Sequence, residues 1–329
     1  MKRAIGQTGR SLNPIGLGCM GLSGVYNAPV DPAAAVKLLQ EAIDLGVEHF
    51  DTAEVYGLTG NEDLLGAAFH DRRNKVFIAT KWGPTFDIAT GKRGPIDGSP
   101  ANCRRAVEGS LKRLRTDVID LYYLHRVDPK IPIEDSVGAM AQLVKEGKIR
   151  LIGLSEPSAE TIKKAALVAP ISAVQSEYSI FTRDVEDGRL AAMETVGASL
   201  VAYSPVSRGI LTGAMKADAR PAGGDDFRNT TVPRFNEDNY AANLDLVKEI
   251  EAVAGEVNAK PAQVALAWVL SRAPNIHVIP GTTRVENLKT NLGAEHVVLS
   301  PGQIKRLNAL AGRVAGARYT PTALGAVNR

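Results

Sequence analysis

Four polar side chains in the first 125 residues have the types needed to move a proton. Asp51 ends a short apolar run, and Tyr56 follows five residues later. Lys81 and His125 end two later runs of the same kind. A nearby ammonium group makes a phenol more acidic, and an aspartate can hold that ammonium in place. The set therefore predicts proton donation to a carbonyl or alkoxide oxygen, with Tyr56 as the acid and His125 as a hydrogen-bond partner of that oxygen.

Each of these residues also has an ordinary structural interpretation. An aspartate at the end of a strand often caps a helix, and a tyrosine often lines the rim of a cavity. Lys81 can be a surface lysine, and His125 can be a hydrogen-bonded structural histidine. A lysine on a barrel strand can also form a Schiff base with a carbonyl compound, as in aldolases, so a second reaction class stays open for Lys81.

The elements that must position these side chains alternate along the chain. Short apolar runs of the kind found in buried parallel strands alternate with amphipathic segments. The runs cover residues 15–18, 47–52, 75–81, 119–125, 150–155, 173–177, 199–204 and 276–281. Eight strand–helix units in one chain of 329 residues predict a closed (β/α)8 TIM barrel, in which functional residues lie at the carboxyl ends of the strands. We predict that residues 1–329 form a single domain.

Several segments depart from simple alternation. Residues 2–13 carry a turn signal between two short β-compatible pieces, which predicts an N-terminal hairpin that closes the bottom of the barrel. Residues 209–234 lack periodicity, which indicates a lid or an irregular loop. Two helical stretches, 239–257 and 260–272, precede strand eight, and a further helix is expected at the C-terminus.

One motif favours a different fold. The segment 16-GLGCMG-21 matches the GxGxxG pattern of doubly wound dinucleotide-binding sheets. Its context is poor, because the next helix signal is Asp31 followed by Pro32, and no acidic residue ends a strand at the expected distance. We therefore prefer the barrel.

Composition excludes several classes of function. The 39 basic and 36 acidic residues give a net charge of +3 without a block of like charge, so neither nucleic acid nor a membrane surface is an expected partner. No apolar run reaches the length of a membrane span, and we expect a cytoplasmic protein. Cys19 and Cys103 have no CxxC or histidine partner spacing, so we expect reduced thiols and no metal site. Nothing indicates the oligomeric state.

Seven segments, in this order, resemble the aldo-keto reductase family over essentially the whole chain. They are 16-GLGCMG-21, 47-VEHFDTAEVYG-57, 80-TKWG-83, 122-YYLHRVD-128, 153-GLSE-156, 203-YSPVSRGILTG-213 and 279-IPGTTRVENLKTNLGA-294. Within that family the chain resembles the bacterial and plant pyridoxal-reductase-like and potassium-channel β-subunit-like branch. The resemblance implies NADPH-dependent reduction of aldehydes or ketones by hydride transfer, with NADPH bound without a Rossmann fold. It assigns the catalytic tetrad to Asp51, Tyr56, Lys81 and His125.

The resemblance also implies cofactor contacts at fifteen positions. They are Gly18, Met20, Ser155, Gln175, Tyr203, Ser204, Pro205, Ser207, Arg208, Leu211, Gly281, Thr283, Arg284, Asn287 and Asn291. In this assignment Ser155 and Gln175 hold the carboxamide and Tyr203 stacks on the nicotinamide ring. Positions 204–211 line the pyrophosphate, and positions 281–291 bind the adenosine end. Glu156 stands where many relatives have asparagine, and Ser207 where many have glycine.

Arg284 carries the prediction of NADPH rather than NADH, because it is the basic residue left near the expected adenosine 2′-phosphate. Tyr26, Trp82 and Phe86 are candidate aromatic walls of the substrate site, although each can be core packing instead. The substrate expected is a small carbonyl compound, aromatic or pyridoxal-like. A cofactor-binding regulatory protein, similar to the channel β subunits, is the alternative that keeps the fold without turnover.

Overall fold

The strands and helices were assigned in a computed structural model that describes residues 2–26, 28–216, 218, 220–221 and 226–328. The strands are β1 (Arg3–Ala4), β2 (Ser11–Leu12), β3 (Leu17–Gly18), β4 (His49–Asp51), β5 (Phe77–Trp82), β6 (Pro84–Phe86), β7 (Arg93–Ile96), β8 (Ile119–Leu124), β9 (Ile149–Ser155), β10 (Ile171–Glu177), β11 (Ser199–Tyr203) and β12 (Ile276–Val278). The α-helices are α1 (Pro32–Asp44), α2 (Gly60–Phe69), α3 (Pro100–Leu114), α4 (Ile133–Lys145), α5 (Ala159–Val168), α6 (Arg189–Val196), α7 (Phe227–Thr231), α8 (Glu237–Glu256), α9 (Pro261–Leu270), α10 (Val285–Leu292), α11 (Pro301–Asn308) and α12 (Pro321–Leu324).

Eight parallel strands form the central sheet, in the order β3, β4, β5, β8, β9, β10, β11 and β12. Parallel bridges between Ile15 and Val278 and between Gly18 and Gly281 join the two ends of this sheet. The Gly16 amide also donates to the Val278 carbonyl oxygen at 2.9 Å. The sheet is therefore closed, which confirms the predicted (β/α)8 barrel.

Side chains of the strands alternate between two apolar layers. Phe77 and Ala79 on β5 belong to the cluster inside the barrel, whereas Ile78 and Trp82 belong to the cluster between the sheet and the helices. Because successive side chains of a strand point to opposite faces, Lys81 shares the inner face with Phe77 and Ala79. The alternation thus separates the side chains that can reach the barrel mouth from those that pack the helices.

The hairpin of β1 and β2 closes the amino end of the barrel, as predicted. Ile5 and Leu12 are buried in the inner apolar cluster. The Gly6 amide donates to the Ser199 hydroxyl at 2.8 Å, which fixes the hairpin to the start of β11. Apolar side chains from the hairpin therefore fill the barrel bottom, and the opposite, carboxyl end is left for function.

Two regions differ from the sequence prediction. Residues 84–96 form an antiparallel hairpin of β6 and β7 that periodicity did not indicate. The predicted lid at 209–234 contains the short helix α7. The Asp226 carboxylate caps its first turn and accepts a hydrogen bond from the Arg228 amide at 2.8 Å. Positions 217, 219 and 222–225 of the predicted lid lie outside the described residues. In the described ranges, no helix combines the length and the apolarity needed to cross a membrane.

Candidate active site

Asp51 and Lys81 form a buried ion pair at the carboxyl ends of β4 and β5. The Lys81 ammonium contacts the Asp51 carboxylate and also donates to the Thr52 carbonyl oxygen at 2.8 Å. The Gln175 amide donates to the other Asp51 carboxylate oxygen at 2.7 Å. Burial alone would lower the pKa of Lys81, but Asp51 and Tyr56 raise it above its usual value. The structure thus excludes a surface position for Lys81 and places Asp51 against an ammonium rather than at a helix end.

A tight turn brings the Tyr56 hydroxyl to this pair. It lies 3.5 Å from the Lys81 ammonium nitrogen. The turn needs a glycine at position 57. Gly57 has a φ of 56°, and a Cβ added to it would lie 2.6 Å from the Ser23 Cβ, which is too close. Burial raises the pKa of Tyr56, whereas the charge of Lys81 lowers it. The contribution of Lys81 has the expected sign, but the net direction is upward, which differs from the expectation of a more acidic phenol.

His125 completes the group at the end of β8. Its amide donates to the Trp82 carbonyl oxygen at 2.8 Å, which continues the pairing of β8 with β5. The imidazole meets the Tyr56 ring edge-on, with 5.8 Å between ring centroids. Burial and the charges of Arg126 and Lys81 hold the pKa of His125 well below its usual value. The imidazole is therefore neutral at physiological pH and suits hydrogen bonding rather than charge stabilisation.

The three residues expected around a nicotinamide ring lie on three neighbouring strands. Ser155 ends β9 and accepts a 3.0 Å hydrogen bond from Arg126. Gln175 lies on β10, and its amide nitrogen is already bound to Asp51. Tyr203 ends β11, and its hydroxyl donates to Glu156 at 2.8 Å. A carboxamide contact by Gln175 would therefore use its amide oxygen or require the side chain to turn.

The segment after β11 has an unusual backbone. Ser204, Ser207 and Arg208 adopt positive φ values of 48°, 47° and 57°, and Gly209 follows at 99°. Such strained positions cluster at functional sites, and successive backbone N–H groups in turn conformations form anion-binding concavities. Here, however, the Ser207 and Gly209 amides donate to the Ser204 and Val206 carbonyl oxygens at 2.8 and 3.1 Å, so they are not free for a pyrophosphate in this conformation. Pro205 and Leu211 are buried, and the Leu211 side chain lies in the apolar core.

The expected adenosine positions follow β12 at the edge where the barrel closes. Gly281 is bridged to Gly18. A Cβ on Gly18 would lie 2.8 Å from the Ile279 carbonyl oxygen, so the closed barrel requires a glycine there. Exposed positions in this group are Thr283, Arg284 and Asn287, whereas Asn291 is buried and Met20 lies partly buried in a 3-10 turn. The group therefore forms an open surface beside the barrel mouth.

Arg284 is the residue immediately before α10 rather than a member of its first turn. Its own amide donates to the Thr282 hydroxyl at 3.1 Å, so this N–H is not free for a phosphate. The guanidinium is exposed beside the helix start. The predicted contact with the 2′-phosphate of NADPH therefore depends on the charged side chain of Arg284.

A buried charge cluster around Glu156 was not predicted. Arg318 donates two hydrogen bonds to the Glu156 carboxylate at 2.9 and 3.0 Å, and Tyr203 and the Glu177 amide donate to the same group at 2.8 and 2.9 Å. Burial opposes ionisation, but Arg318 lowers the pKa of Glu156 to about 2. The carboxylate thus faces Arg318 of the C-terminal segment, a region in which no motif or periodicity pointed to a functional residue.

The neighbouring residue, Tyr319, extends this cluster to the predicted cofactor segment. Arg208 donates to the Tyr319 hydroxyl at 2.6 Å and to Glu177 at 3.1 Å. Arg208 also donates to the Tyr26 hydroxyl at 2.9 Å. The C-terminal segment therefore contacts Arg208 directly, and Tyr26, one candidate wall, lies beside it.

The other two candidate walls lie in different surroundings. Trp82 is fully buried and stacks on Tyr122 at 6.3 Å between ring centroids, in the layer between sheet and helices. The structure places it in the core, because its strand position points away from the barrel interior. Phe86 belongs to the β6–β7 hairpin, where it lines a shallow depression. Across the described part of the chain, no cluster of three or more His, Cys, Asp or Glu side chains is arranged to hold a metal ion.

Comparisons with known proteins agree with this geometry. The model of the aldo/keto reductase family matches residues 14–311. Probable aldo-keto reductase 1 of Glycine max is 41% identical over 325 residues, with coverage of 96% of this chain and 90% of the relative. Aldo-keto reductase yakc of Schizosaccharomyces pombe, whose name specifies NADP(+), is 42% identical over 317 residues, with coverage of 94% and 92%.

A solved structure supports the same conclusion. The glycerol dehydrogenase AKR11B4 from Gluconobacter oxydans has a TM-score of 0.86 and 30% identity, with coverage of 96% of this chain and 97% of that one. The chain belongs to the aldo/keto reductase family. It is an NAD(P)H-dependent oxidoreductase of the class that acts on small-molecule carbonyl compounds.

Proposed function

We propose that this protein reduces aldehydes or ketones to alcohols with NADPH, using Tyr56 as the general acid. The observation that carries the proposal is the position of the Tyr56 hydroxyl, 3.5 Å from a buried ammonium and edge-on to a neutral imidazole at the barrel mouth. A proton donor, a charge that stabilises its conjugate base and a neutral hydrogen-bonding ring are the groups that carbonyl reduction requires.

The residues beside the tetrad fit a nicotinamide dinucleotide. The left-handed backbone at Ser207, Arg208 and Gly209 forms a tight turn at the position predicted for the pyrophosphate, and the partly exposed ring of Tyr203 offers a flat surface to the nicotinamide. When bound, the cofactor supplies the hydride that reduces the carbonyl carbon. The exposed Arg284 guanidinium at the start of α10 supports a preference for NADPH over NADH.

The side chains divide the remaining work. His125 donates a hydrogen bond to the carbonyl oxygen and orients it toward Tyr56. The Tyr56 hydroxyl gives its proton to that oxygen as negative charge develops there, so the product is the neutral alcohol. The Lys81 ammonium stabilises the phenolate that remains, and solvent returns the proton to Tyr56. Asp51 and Gln175 keep Lys81 within reach of the phenol.

The two alternatives have weaker support. A Schiff-base lysine must lose its proton before it attacks, but the pKa of Lys81 is raised and its ammonium donates to Asp51, Thr52 and Tyr56. A purely regulatory cofactor-binding role does not require the four tetrad side chains to lie together at the barrel mouth. We also propose a single domain over residues 1–329 and a cytoplasmic location, which is supported by the two buried free cysteines.

The test is Tyr56→Phe, assayed by NADPH consumption over a panel of aldehydes and ketones. General acid catalysis is worth about 10² to 10⁴-fold, so kcat should fall by at least that range while NADPH affinity stays nearly constant. Tyr240→Phe is the matched control, because its hydroxyl contacts the Lys216 carbonyl oxygen at 3.2 Å, away from the tetrad. A Tyr56→Phe enzyme with the kcat of the parent would contradict the assignment.

A further inference from the structure

Arg126 places a positive charge directly beside the proposed catalytic group. It follows His125 at the end of β8, and its side chain is partly buried. The Nη1 atom donates to the His125 carbonyl oxygen at 2.7 Å and to the Ser155 hydroxyl at 3.0 Å. Both acceptors are uncharged. The guanidinium is therefore held at the junction of β8 and β9 through one of its three nitrogens.

Among the described residues no carboxylate contacts Arg126 directly, and the one carboxylate whose charge acts on it, Glu156, is already paired with Arg318. Other buried cations at the barrel mouth do have partners, since Lys81 pairs with Asp51 and Arg318 with Glu156. A partly desolvated guanidinium without a directly paired counter-ion favours binding of an anion, because burial of an unpaired charge is costly.

The free edge of this guanidinium has the geometry of a fork. With Nη1 bound to the backbone and to Ser155, the Nε and Nη2 atoms remain, and these two nitrogens lie on one edge of the planar group. That edge presents two parallel N–H groups, which match the two oxygens of a carboxylate. A single point charge such as lysine would not give this selectivity.

Electrostatics indicate which space the charge faces. Burial raises the pKa of Tyr56, Tyr203 and Tyr319, and the charge of Arg126 acts against burial at all three phenols. The charge of Arg126 therefore acts on both the proposed proton donor and the proposed nicotinamide platform. Burial lowers the pKa of His125, and Arg126, Lys81 and the exposed Arg93 of β7 lower it further. Three cations therefore act on His125, the proposed hydrogen-bond partner of the carbonyl oxygen.

We propose that Arg126 binds a carboxylate of the substrate, and that the natural substrates are oxo acids, carbonyl compounds that also carry a carboxylate. This inference rests on the proposed reductase function and narrows it to a substrate class. The carbonyl oxygen meets Tyr56 and His125, and the carboxylate of the same molecule meets the Nε–Nη2 edge of Arg126. The competing explanation is that Arg126 only holds Ser155 in place for the cofactor.

The experiment compares each acid with its methyl ester, because the two share the reacting carbonyl and differ in charge. Three pairs cover different spacings: phenylglyoxylate, 3-carboxybenzaldehyde and 4-carboxybenzaldehyde, each with its ester. The measured quantity is the acid-to-ester ratio of kcat/KM, which cancels any general loss of activity. We expect the parent enzyme to prefer at least one acid, and Arg126→Met to lower that ratio about 10- to 150-fold, the value of a charged hydrogen-bonded contact.

Three further variants separate recognition from other roles. Arg126→Lys keeps the charge and loses the fork, so we expect a ratio between those of the parent and Arg126→Met. Arg93→Met removes one exposed cation near the same site, and screening should limit its effect on the ratio to less than about threefold. Ser155→Ala removes the Ser155 contact but leaves the guanidinium, so the ratio should stay close to that of the parent.

A binding measurement makes the test independent of turnover. Titration of the NADP(+)-loaded enzyme with 4-(hydroxymethyl)benzoate should show tighter binding to the parent than to Arg126→Met. The inference is overturned if Arg126→Met keeps the parent ratio, if Ser155→Ala reproduces its loss, or if the benzoate binds both enzymes equally. Reduction of esters without any preference for acids overturns the inference alone. Failure to oxidise NADPH with every compound overturns the proposed function instead.

Discussion

Glu156→Gln should destabilise the protein strongly, because it removes one charge from a fully buried cluster. Two Arg318 nitrogens lie 2.9 and 3.0 Å from the two Glu156 carboxylate oxygens, and Arg189 lies 3.4 Å from the second. In either orientation of a glutamine side chain, its NH2 group would replace one of these two oxygens. The NH2 group would then face a guanidinium N–H, so two donors would meet without an acceptor. The substitution therefore leaves a buried guanidinium with fewer acceptors, and breaking such a pair typically costs about 3 to 5 kcal/mol.

The pKa of Glu156 gives a second route to the magnitude. The carboxyl pKa falls from its ordinary value of 4.5 to about 2 in the folded protein. At about 1.4 kcal/mol per pH unit, this corresponds to about 3 kcal/mol of stability at neutral pH. Because the folded-state pKa is depressed, the contribution is complete above pH 4.5 and is lost as the pH falls toward 2. About 1 kcal/mol of it should already be absent at pH 3.5.

The assay is urea unfolding followed by tryptophan fluorescence, since Trp82 and Trp268 are both fully buried. The difference in unfolding free energy between parent and Glu156→Gln should be about 3 kcal/mol at pH 7 and should shrink by about 1 kcal/mol at pH 3.5. Glu160→Gln is the matched control, because Glu160 pairs with Lys164 on the exposed face of α5. Equal stability of Glu156→Gln and parent at pH 7, or a difference that does not change with pH, would refute the reasoning.

Two further substitutions test the proposed division of roles. Lys81→Met removes the charge that opposes the effect of burial on the Tyr56 pKa, so in the alcohol-oxidation direction the pH at half-maximal kcat should move upward, with a loss of kcat of about 10²-fold or more; a lower kcat with an unchanged pH profile would show that Lys81 acts through geometry alone. Arg284→Ala should weaken NADPH binding by about 1.5 to 3 kcal/mol and leave NADH binding nearly unchanged, as measured by fluorescence titration of both cofactors; equal weakening of the two, or of neither, would contradict the 2′-phosphate role.

Local patterns were sufficient for the barrel and its helices. Asp31 and Ser99, placed before prolines, cap α1 and α3 with side-chain bonds to Ala34 and Asn102, as cap signals predict. Eight short apolar runs matched the strands because parallel strands covered on both faces must be apolar along their length. The 84–96 hairpin escaped prediction because none of its strand residues is buried, so its sequence gives no periodic apolar signal.

The candidate tetrad was also readable from the sequence. Asp51, Lys81 and His125 end strands that are neighbours in the sheet, so the order of strands along the chain was enough to bring them together. Spacing alone did not predict the net direction of the Tyr56 pKa, because that depends on how deeply the phenol is buried. Burial is a property of everything packed around a residue, and no local window contains it.

Only the tertiary structure revealed the connections between distant segments. Glu156 and Arg318 are separated by 162 positions, and neither belongs to a motif that names the other. The absence of a direct ion pair at Arg126, within the part of the chain that the structure describes, likewise depends on which side chains pack around it. Sequence patterns record the periodicity of single elements, whereas ion pairs between elements depend on the three-dimensional path of the chain. The sequence therefore determined the barrel and predicted the candidate tetrad, and the fold decided which charged side chains pair with one another.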